Sequence, residues 1–398
     1  MKSFISTAFA AFALVFIVSC EDLIPSALDD DQLLDGPVDG LTPEQNRQFL
    51  LGDAAFNDEV FTSASGLGSV FVATSCGSCH AGDGKGHPFT TLTRFGQTDD
   101  TGNKFLRQGG PQLQHRALPG FIPEQLPEGA TFARFMPPIN TGLGFIELVA
   151  DQDILAMTDP DDLDGDGISG VPNWNSIPGY AIPFENAISQ NGKYIHRFGK
   201  KGSVYNLLQQ TANAYNQDIG ITSVFEPYDV YSHLEIDPEI STHTVNNVVF
   251  YLKTLKAPIQ RSKDSDEVLK GKDQFIRIGC EKCHRQTLKA GNSPIEALSN
   301  KEFHPYTDLL LHDMGSGLDD GYTEGSAKTF EWRTAPLWGL GLSAKSQGGE
   351  YFLMHDGRAK SIEEAILMHG GESTGSREKF NTLSPAEKET IIQFLKSL

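Results

Sequence analysis

The sequence is poor in cysteine and in basic residues. Only 5 of its 398 residues are cysteine, and 32 lysines and arginines stand against 52 aspartates and glutamates, so the formal net charge is −20. This charge argues against nucleic acid and against an anionic lipid surface as partners, because both are themselves negatively charged. A basic partner protein is compatible with it.

An apolar run long enough to span a membrane is also missing. Residues 4–18 form an apolar run of about 15 residues, whereas a spanning helix needs roughly 20. The run follows one lysine and ends in Ser19 and Cys20, which predicts a secretory signal peptide over residues 1–19. The ending resembles a bacterial lipobox and predicts lipidation of Cys20. A buried structural thiol is the alternative.

The acidic segment that follows, residues 20–41, predicts a flexible tether. We therefore expect the protein in the cell envelope of a Gram-negative bacterium, in the periplasm or at the outer membrane. The lipid anchor would be its only membrane attachment.

Four of the five cysteines lie in two copies of Cys-x-x-Cys-His. Two thiols at this spacing can each form a thioether with a haem vinyl group, and the adjacent histidine then binds the iron as its proximal ligand. A zinc site built from both pairs and a redox dithiol are the alternatives, but neither explains a histidine after each pair. The motifs predict two covalently bound haem c groups and leave no cysteine for a disulfide. The predicted residues are Cys76, Cys79 and His80 in the first motif and Cys280, Cys283 and His284 in the second.

An internal duplication predicts two haem domains, over residues 42–257 and 258–398. Capping-box signals at Thr42 and Ser384 predict two helix starts. A Gly-x-x-x-Phe pattern beginning at Gly52 and at Gly271 precedes each haem motif, and similar Leu-Lys-containing segments close the two units. The additional length of the first unit is rich in Gly, Pro, Asn and Asp, which predicts long loops.

Six longer runs of the sequence form a common pattern, at residues 164–170, 217–222, 305–315, 331–339, 355–359 and 369–372. These runs resemble the bacterial di-haem oxidoreductase family, which is also described as thiol oxidoreductase-like or peroxidase-like. The resemblance covers nearly everything after Thr42, and that family is similar to di-haem cytochrome c peroxidases and MauG-type proteins. It implies a mostly α fold with two cytochrome c-like haem domains, the first enlarged by loops. One haem would transfer electrons and the other would meet peroxide.

The resemblance also implies a sixth ligand for the C-terminal haem. Counting fourteen positions from His355, as in the peroxidase-like relatives, gives His369. Those relatives carry Met or Tyr there, so this chain departs from both, and bis-histidine ligation would lower the reduction potential. Met368, Met314 and Met354 are the alternatives.

Arg358 is predicted to contact a haem propionate, because a guanidinium can donate two charge-assisted hydrogen bonds to one carboxylate. A solvated surface arginine is the alternative. The N-terminal haem is predicted to be the reactive one, and its candidate catalytic residues are Gln210 and Asp218, which resemble a distal pair in di-haem peroxidases, and Glu147 as a competing acid. Peroxide cleavage needs such a group to move a proton. The histidines available to close this site instead are His87, His115, His196 and His243.

An acidic loop predicts a calcium site. Asp162, Asp164 and Asp166 occupy positions 1, 3 and 5 of an EF-hand-like loop, with Gly167 at position 6. Position 12 is Asn173 where an EF-hand has glutamate. The alternative is an Asp/Gly-rich loop that binds no metal.

Two classes of function follow from these patterns. The first is a peroxidase-like oxidoreductase that takes electrons from a redox partner protein or small donor through the His284/His369 haem. The second is an electron-transfer cytochrome with both irons six-coordinate. An accessory role in cell-envelope iron handling has only family association behind it.

Overall fold

The computed structural model describes residues 29–96, 98–99, 102–103, 105 and 108–398. The signal peptide predicted over residues 1–19, the lipidation site Cys20 and the first part of the tether lie outside the described residues. Within the described part, no helix has the length and apolar character needed to cross a bilayer.

Ten α-helices are found among the described residues. They are α1 Pro43–Asp53, α2 Leu143–Glu147, α3 Asp151–Leu155, α4 Leu207–Asn213, α5 Thr242–Thr254, α6 Asp266–Arg277, α7 Ser343–Ser346, α8 Ile362–Leu367, α9 Thr374–Thr382 and α10 Pro385–Ser397.

Two of these helices begin where the capping signals predicted. Thr42 accepts the N–H of Gln45 at 3.2 Å, and the Gln45 side chain accepts the N–H of Thr42 at 3.0 Å. Ser384 and Glu387 form the same reciprocal pair at the start of α10. Both predicted capping boxes are therefore confirmed, and each satisfies two backbone donors that a helix start leaves unpaired.

The duplicated glycines allow two helix pairs to pack closely. Gly52 of α1 lies against α5, where a Cβ atom would overlap the carbonyl oxygen of Asn247. Gly271 of α6 lies in the same way against the carbonyl oxygen of Thr390 in α10. The pairs α1/α5 and α6/α10 therefore both have a glycine at the point where the two helices meet.

The connecting segments form small antiparallel sheets. The strands are β1 Val70–Phe71, β2 Leu92–Phe95, β3 Thr98–Asp99, β4 Gly102–Asn103, β5 Arg116–Ala117, β6 Phe132–Phe135, β7 Asn173–Asn175, β8 Ser189–Gln190, β9 Lys193–His196, β10 Leu288–Lys289, β11 Glu302–Phe303, β12 Leu311–Asp313 and β13 Glu331–Arg333. They pair as β1–β5, β2–β6, β3–β4, β10–β11, β12–β13 and β7–β9–β8.

The fold is therefore mixed, and the expectation of a mostly α protein is corrected. Parts of the sequence that the Gly- and Pro-rich composition assigned to loops pair their backbone groups in ladders of two to four residues. These hydrogen bonds satisfy the backbone groups as a helix would. The most important ladder for the site is β12–β13, in which His312 lies opposite Trp332.

Residues 34–398 form one compact unit. The core around α1 and α5 includes Leu288, Phe303 and Leu309 from beyond the predicted boundary at 257/258, together with Trp338. A second core surrounds α6 and α10. The boundary itself stays a prediction. Before α1, the N–H of Val38 donates to the carbonyl of Thr254 at 2.7 Å, so this part of the predicted tether is paired with the end of α5.

Candidate functional site

Both Cys-x-x-Cys-His motifs fold into tight turns. In the first, the N–H groups of Cys79 and His80 each lie 3.0 Å from the carbonyl oxygen of Cys76. In the second, the N–H of His284 lies 3.0 Å from the carbonyl oxygen of Cys280. Each turn follows a phenylalanine that packs near the motif histidine. The ring centroids of Phe56 and His80 are 5.9 Å apart, and those of Phe275 and His284 are 6.3 Å apart.

One cavity of about 420 Å³ runs past both motifs. Its wall is mainly apolar, with polar and charged side chains at separate places. All six motif residues line it, and so do three further predicted site residues, namely Gln210, Asp218 and His369.

The described residues do not bring the two cysteine pairs together, as a zinc site built from both pairs would require. Burial raises the pKa of Cys76, Cys79 and Cys280 to about 12. No cluster of metal-binding groups in the described chain combines the two pairs. The cavity and the separated pairs fit two attached haems better than one shared zinc ion.

The motif histidines are neutral. Burial lowers the pKa of His80 and of His284 to about 4. Neutral imidazole is the form that binds a metal ion. Nδ1 of His284 lies 3.0 Å from the carbonyl oxygen of Tyr306 and must carry the proton, because a carbonyl can only accept. Its Nε2 is left as the metal-binding atom.

His369 lies close to His284 on the cavity wall. Their ring centroids are 6.5 Å apart, and Nδ1 of His369 donates to the carbonyl oxygen of Ala365 at 2.7 Å. Two imidazoles on opposite faces of one iron have centroids about 6 Å apart if each metal–nitrogen bond is roughly 2 Å. This pair therefore fits bis-histidine ligation. Met314 and Met354 also line the cavity, whereas Met368 is not among its lining residues.

Gln210 and Asp218 lie on one face of α4 and the π-helical turn that follows it, Ala214–Asp218. Burial raises the pKa of Asp218 to about 6, although Gln112 donates a hydrogen bond to its carboxylate and Arg94 attracts it. A carboxyl group with this pKa can hold or release a proton near neutral pH. π-Helical turns are frequent at functional sites.

Glu147 is not among the residues that line the cavity. Its carboxylate forms an ion pair with Lys253 at 2.7 Å and accepts the N–H of Leu207 at the start of α4 at 2.8 Å. It therefore supports the helix that carries Gln210 instead of facing the same space.

Two polar groups on the same helical face were missed by the sequence analysis. Thr211 and Tyr215 line the cavity, and both hydroxyl groups are buried without a hydrogen-bond partner. Positions 211, 214, 215 and 218 follow the helical spacing that places residues on one face, so this signal was available.

Arg358 does not line the cavity. Its guanidinium donates to both carboxylate oxygens of Asp356, at 3.0 and 2.8 Å, and pairs with Asp320 at 3.3 Å. The cations that do line the cavity are Lys85, Arg197, Lys200, Arg333 and Arg377. Arg333 belongs to the family-like run 331–339, although the sequence analysis gave it no role, and Lys200 is one of two tandem lysines after Gly199.

The four other candidate histidines are elsewhere among the described residues, since none of them lines the cavity. His196, for example, is buried with Nδ1 2.7 Å from the carbonyl oxygen of Ser203. The four are His87, His115, His196 and His243.

His312 forms a buried ion-pair group beside the second motif. Its nitrogens lie 2.8 Å from Asp308 and 2.7 Å from Glu372, and Cys283 is 3.8 Å away. Burial alone would lower the pKa of His312, but hydrogen bonds with Asp308, Cys283 and Glu372 outweigh it and raise that pKa well above its ordinary value.

The acidic loop brings together two of its three predicted ligands. Asp162 and Asp164 have oxygens close to those of Asp159, whereas Asp166 forms an ion pair with Lys282 of the second motif at 2.7 Å. Calcium therefore stays a prediction.

The chain is similar to known proteins over much of its length. Residues 131–398 match the model of a family described as "Di-haem oxidoreductase, putative peroxidase", a match that includes the second motif and begins after the first. No curated protein matches the sequence. Among solved structures, a chain of Kuenenia stuttgartiensis hydrazine synthase pressurised with xenon matches with 13% identity and a TM-score of 0.40, over 94% of this chain and 98% of that one.

Proposed function

Because the chain belongs to the di-haem oxidoreductase family, we propose that it is an exported di-haem c-type protein that reduces peroxide at its N-terminal haem. Electrons would enter through the C-terminal haem from a redox partner protein or small donor. The single cavity supports this proposal, because both motifs line it and two haems bound there would lie close together.

Bound haem supplies one-electron chemistry and an iron site for an oxygen-containing substrate. Six side chains would attach and ligate the two groups, namely Cys76, Cys79, His80, Cys280, Cys283 and His284. His369 would hold the second group together with His284 and so keep substrate out of the second site. This asymmetry favours electron transfer at the second site and substrate binding at the first.

The first site has polar side chains from α4 and the π-helical turn, whereas the second site has His369 as a proposed ligand. Asp218 would accept a proton from one peroxide oxygen and return it to the other, and the Gln210 amide would orient the substrate by hydrogen bonding. The hydroxyl groups of Thr211 and Tyr215 face the same cavity without partners and would donate to the same substrate.

An electron-transfer cytochrome would need a second protein ligand at the first site. None of the four histidines available to it lines the cavity, which favours the enzyme. The test has two parts. A pyridine haemochrome spectrum should give two haem c groups per chain, and the purified protein should oxidise a reduced donor dye only when peroxide is added. Two haems without peroxide consumption, in the oxidised and half-reduced protein alike, would instead support the electron-transfer cytochrome.

A further inference from the structure

We propose that Lys85, Lys200 and Arg333 form one anion site that holds a propionate carboxylate of at least one of the two haems bound in the cavity. The inference rests on the proposed function, because bound haem is what supplies these carboxylates. It moves the propionate contact from Arg358 to a group of residues to which the sequence analysis gave no role.

The three cations lack a negatively charged partner. No carboxylate in the described chain lies within ion-pair distance of Lys85, Lys200 or Arg333, and neither lysine ammonium group forms a hydrogen bond there. Arg333 donates to the carbonyl oxygens of Gly199 at 2.9 Å and Thr334 at 3.1 Å, which hold the guanidinium but carry no charge. Asp308 attracts Arg333 from beyond ion-pair distance, and this carboxylate is paired with His312.

The neighbouring Lys201 has a structural role, and its contacts differ from those of Lys200. Its ammonium group donates to the carbonyl oxygens of Lys328, Thr329 and Glu331 at 2.7–3.1 Å and lies 3.9 Å from the centroid of the Trp332 ring. Lys200, one position earlier, has none of these acceptors and lines the cavity.

The electrostatics of the cluster favour the binding of an anion. Burial and repulsion by Lys85 and Arg333 lower the pKa of Lys200 well below its ordinary value, and burial lowers the pKa of Lys85 to about 8. Asp356 attracts Lys200 from a distance, but this carboxylate is bound by Arg358. A carboxylate placed among the three cations would reverse this repulsion, because opposite charges within a few ångströms stabilise each other's ionised form.

The position and shape of the cluster suit a carboxylate from the cofactor. The backbone N–H of Arg333 donates to the carbonyl oxygen of Lys200 at 3.1 Å, so the two backbones are adjacent, and both residues line the cavity. A planar guanidinium and an ammonium group can both donate to the oxygens of a carboxylate. The other source of such an anion is a small free molecule, and the test separates the two.

The experiment compares the reduction potentials of both haems, by spectroelectrochemical titration, in wild type, Lys200→Met, Lys200→Arg and the exposed control Lys289→Met. Haem content is measured first, and two haems are expected in every variant. Removing the cation should lower the potential of at least one haem, because an unbalanced propionate stabilises the ferric state. Lys200→Arg should restore the potential, and Lys289→Met should leave it unchanged. Lys85→Gln, on a separate segment, should lower the potential in the same direction and replaces Lys200→Met if that variant does not fold.

The same titration in added inorganic phosphate at constant ionic strength completes the test. No phosphate-dependent shift is expected in wild type, because the site is already filled. Unchanged potentials in Lys200→Met and Lys85→Gln would overturn the anion site, and a phosphate-dependent shift that Lys200→Met abolishes would assign the cluster to a free anion. Wild-type protein without two haems would refute the proposed function instead.

Discussion

Burial acts in opposite directions on Asp218 and His369, because it favours the neutral form of each. It raises the pKa of the Asp218 carboxyl to about 6 and lowers the pKa of the His369 imidazole, so that both are suited to their proposed tasks. One can exchange a proton near neutral pH, and the other keeps an unprotonated nitrogen available for iron.

Asp218 gives a pH-dependent prediction. Only the ionised carboxylate can accept a proton from peroxide, so the rate of the peroxide reaction should rise with pH through about 6 and then level off. Asp218→Asn should lose this inflection and react about 100-fold more slowly. Stopped-flow measurements between pH 4.5 and pH 8 would check both outcomes. Glu226→Gln removes another carboxyl group with a raised pKa, at a site outside the cavity lining, and should behave like wild type. An unchanged profile in Asp218→Asn would exclude Asp218 as the proton acceptor.

For His369, the expected change is spectroscopic. His369→Ala should convert the second haem from low spin to high spin and raise its potential, because ferric iron loses a strong nitrogen donor. Electron paramagnetic resonance of the oxidised protein would detect the change, with Met368→Ala as the neighbouring control. A low-spin signal that persists in His369→Ala but disappears in Met368→Ala would identify the methionine as the ligand.

At the level of secondary structure, the close packing of two helix pairs constrains which residues can stand at the contact. Gly52 and Gly271 each lie where a side chain would meet the backbone of the partner helix. Gly375 in α9 has no atom within 4 Å of an added Cβ and so offers a matched comparison.

Substitution of these glycines by alanine should have opposite effects on stability. Gly52→Ala and Gly271→Ala should each lower the free energy of unfolding by about 1–3 kcal/mol, because the helices must move apart. Gly375→Ala should be neutral or raise it by up to about 1 kcal/mol, because alanine favours helix. Denaturant titration of the three variants would measure these changes. Equal changes in the free energy of unfolding at all three positions would show that close helix packing at Gly52 and Gly271 does not determine stability.

The sequence predicted elements that depend on local signals. Capping boxes at Thr42 and Ser384 and the two haem-motif turns depend on residues within a few positions of each other. The β12–β13 ladder and the approach of Lys85 to Lys200 depend on contacts between distant segments, for which the chain carries no periodic pattern. Arg358 illustrates the difference, since Asp320, which helps to hold it away from the cavity, is 38 positions away in the chain.

At the scale of the whole molecule, the two halves share apolar surface. Leu288, Phe303 and Leu309 pack into the core around α1 and α5, and backbone bridges join Val149 to Ala290 and Val171 to Leu311. These contacts cross the predicted boundary at 257/258.

We therefore expect residues 258–398 produced alone to be less stable than the same residues in the full chain, because the exposed apolar side chains would each lose about 1.5–3 kcal/mol of burial energy. Circular dichroism and size-exclusion chromatography of the haem-containing fragment would show partial unfolding or self-association. A monomeric fragment with the thermal stability of the full chain would support two independent domains.

The partly buried cysteines have a consequence for how haem would be attached under the proposed function. Burial raises the pKa of Cys76 and Cys280 to about 12, so in the folded chain these thiols would be neutral, whereas the thiolate is the reactive form. Both haems would therefore be attached before the chain folds around the cavity. The helix α10 would then complete the second core only after the second motif has received its haem.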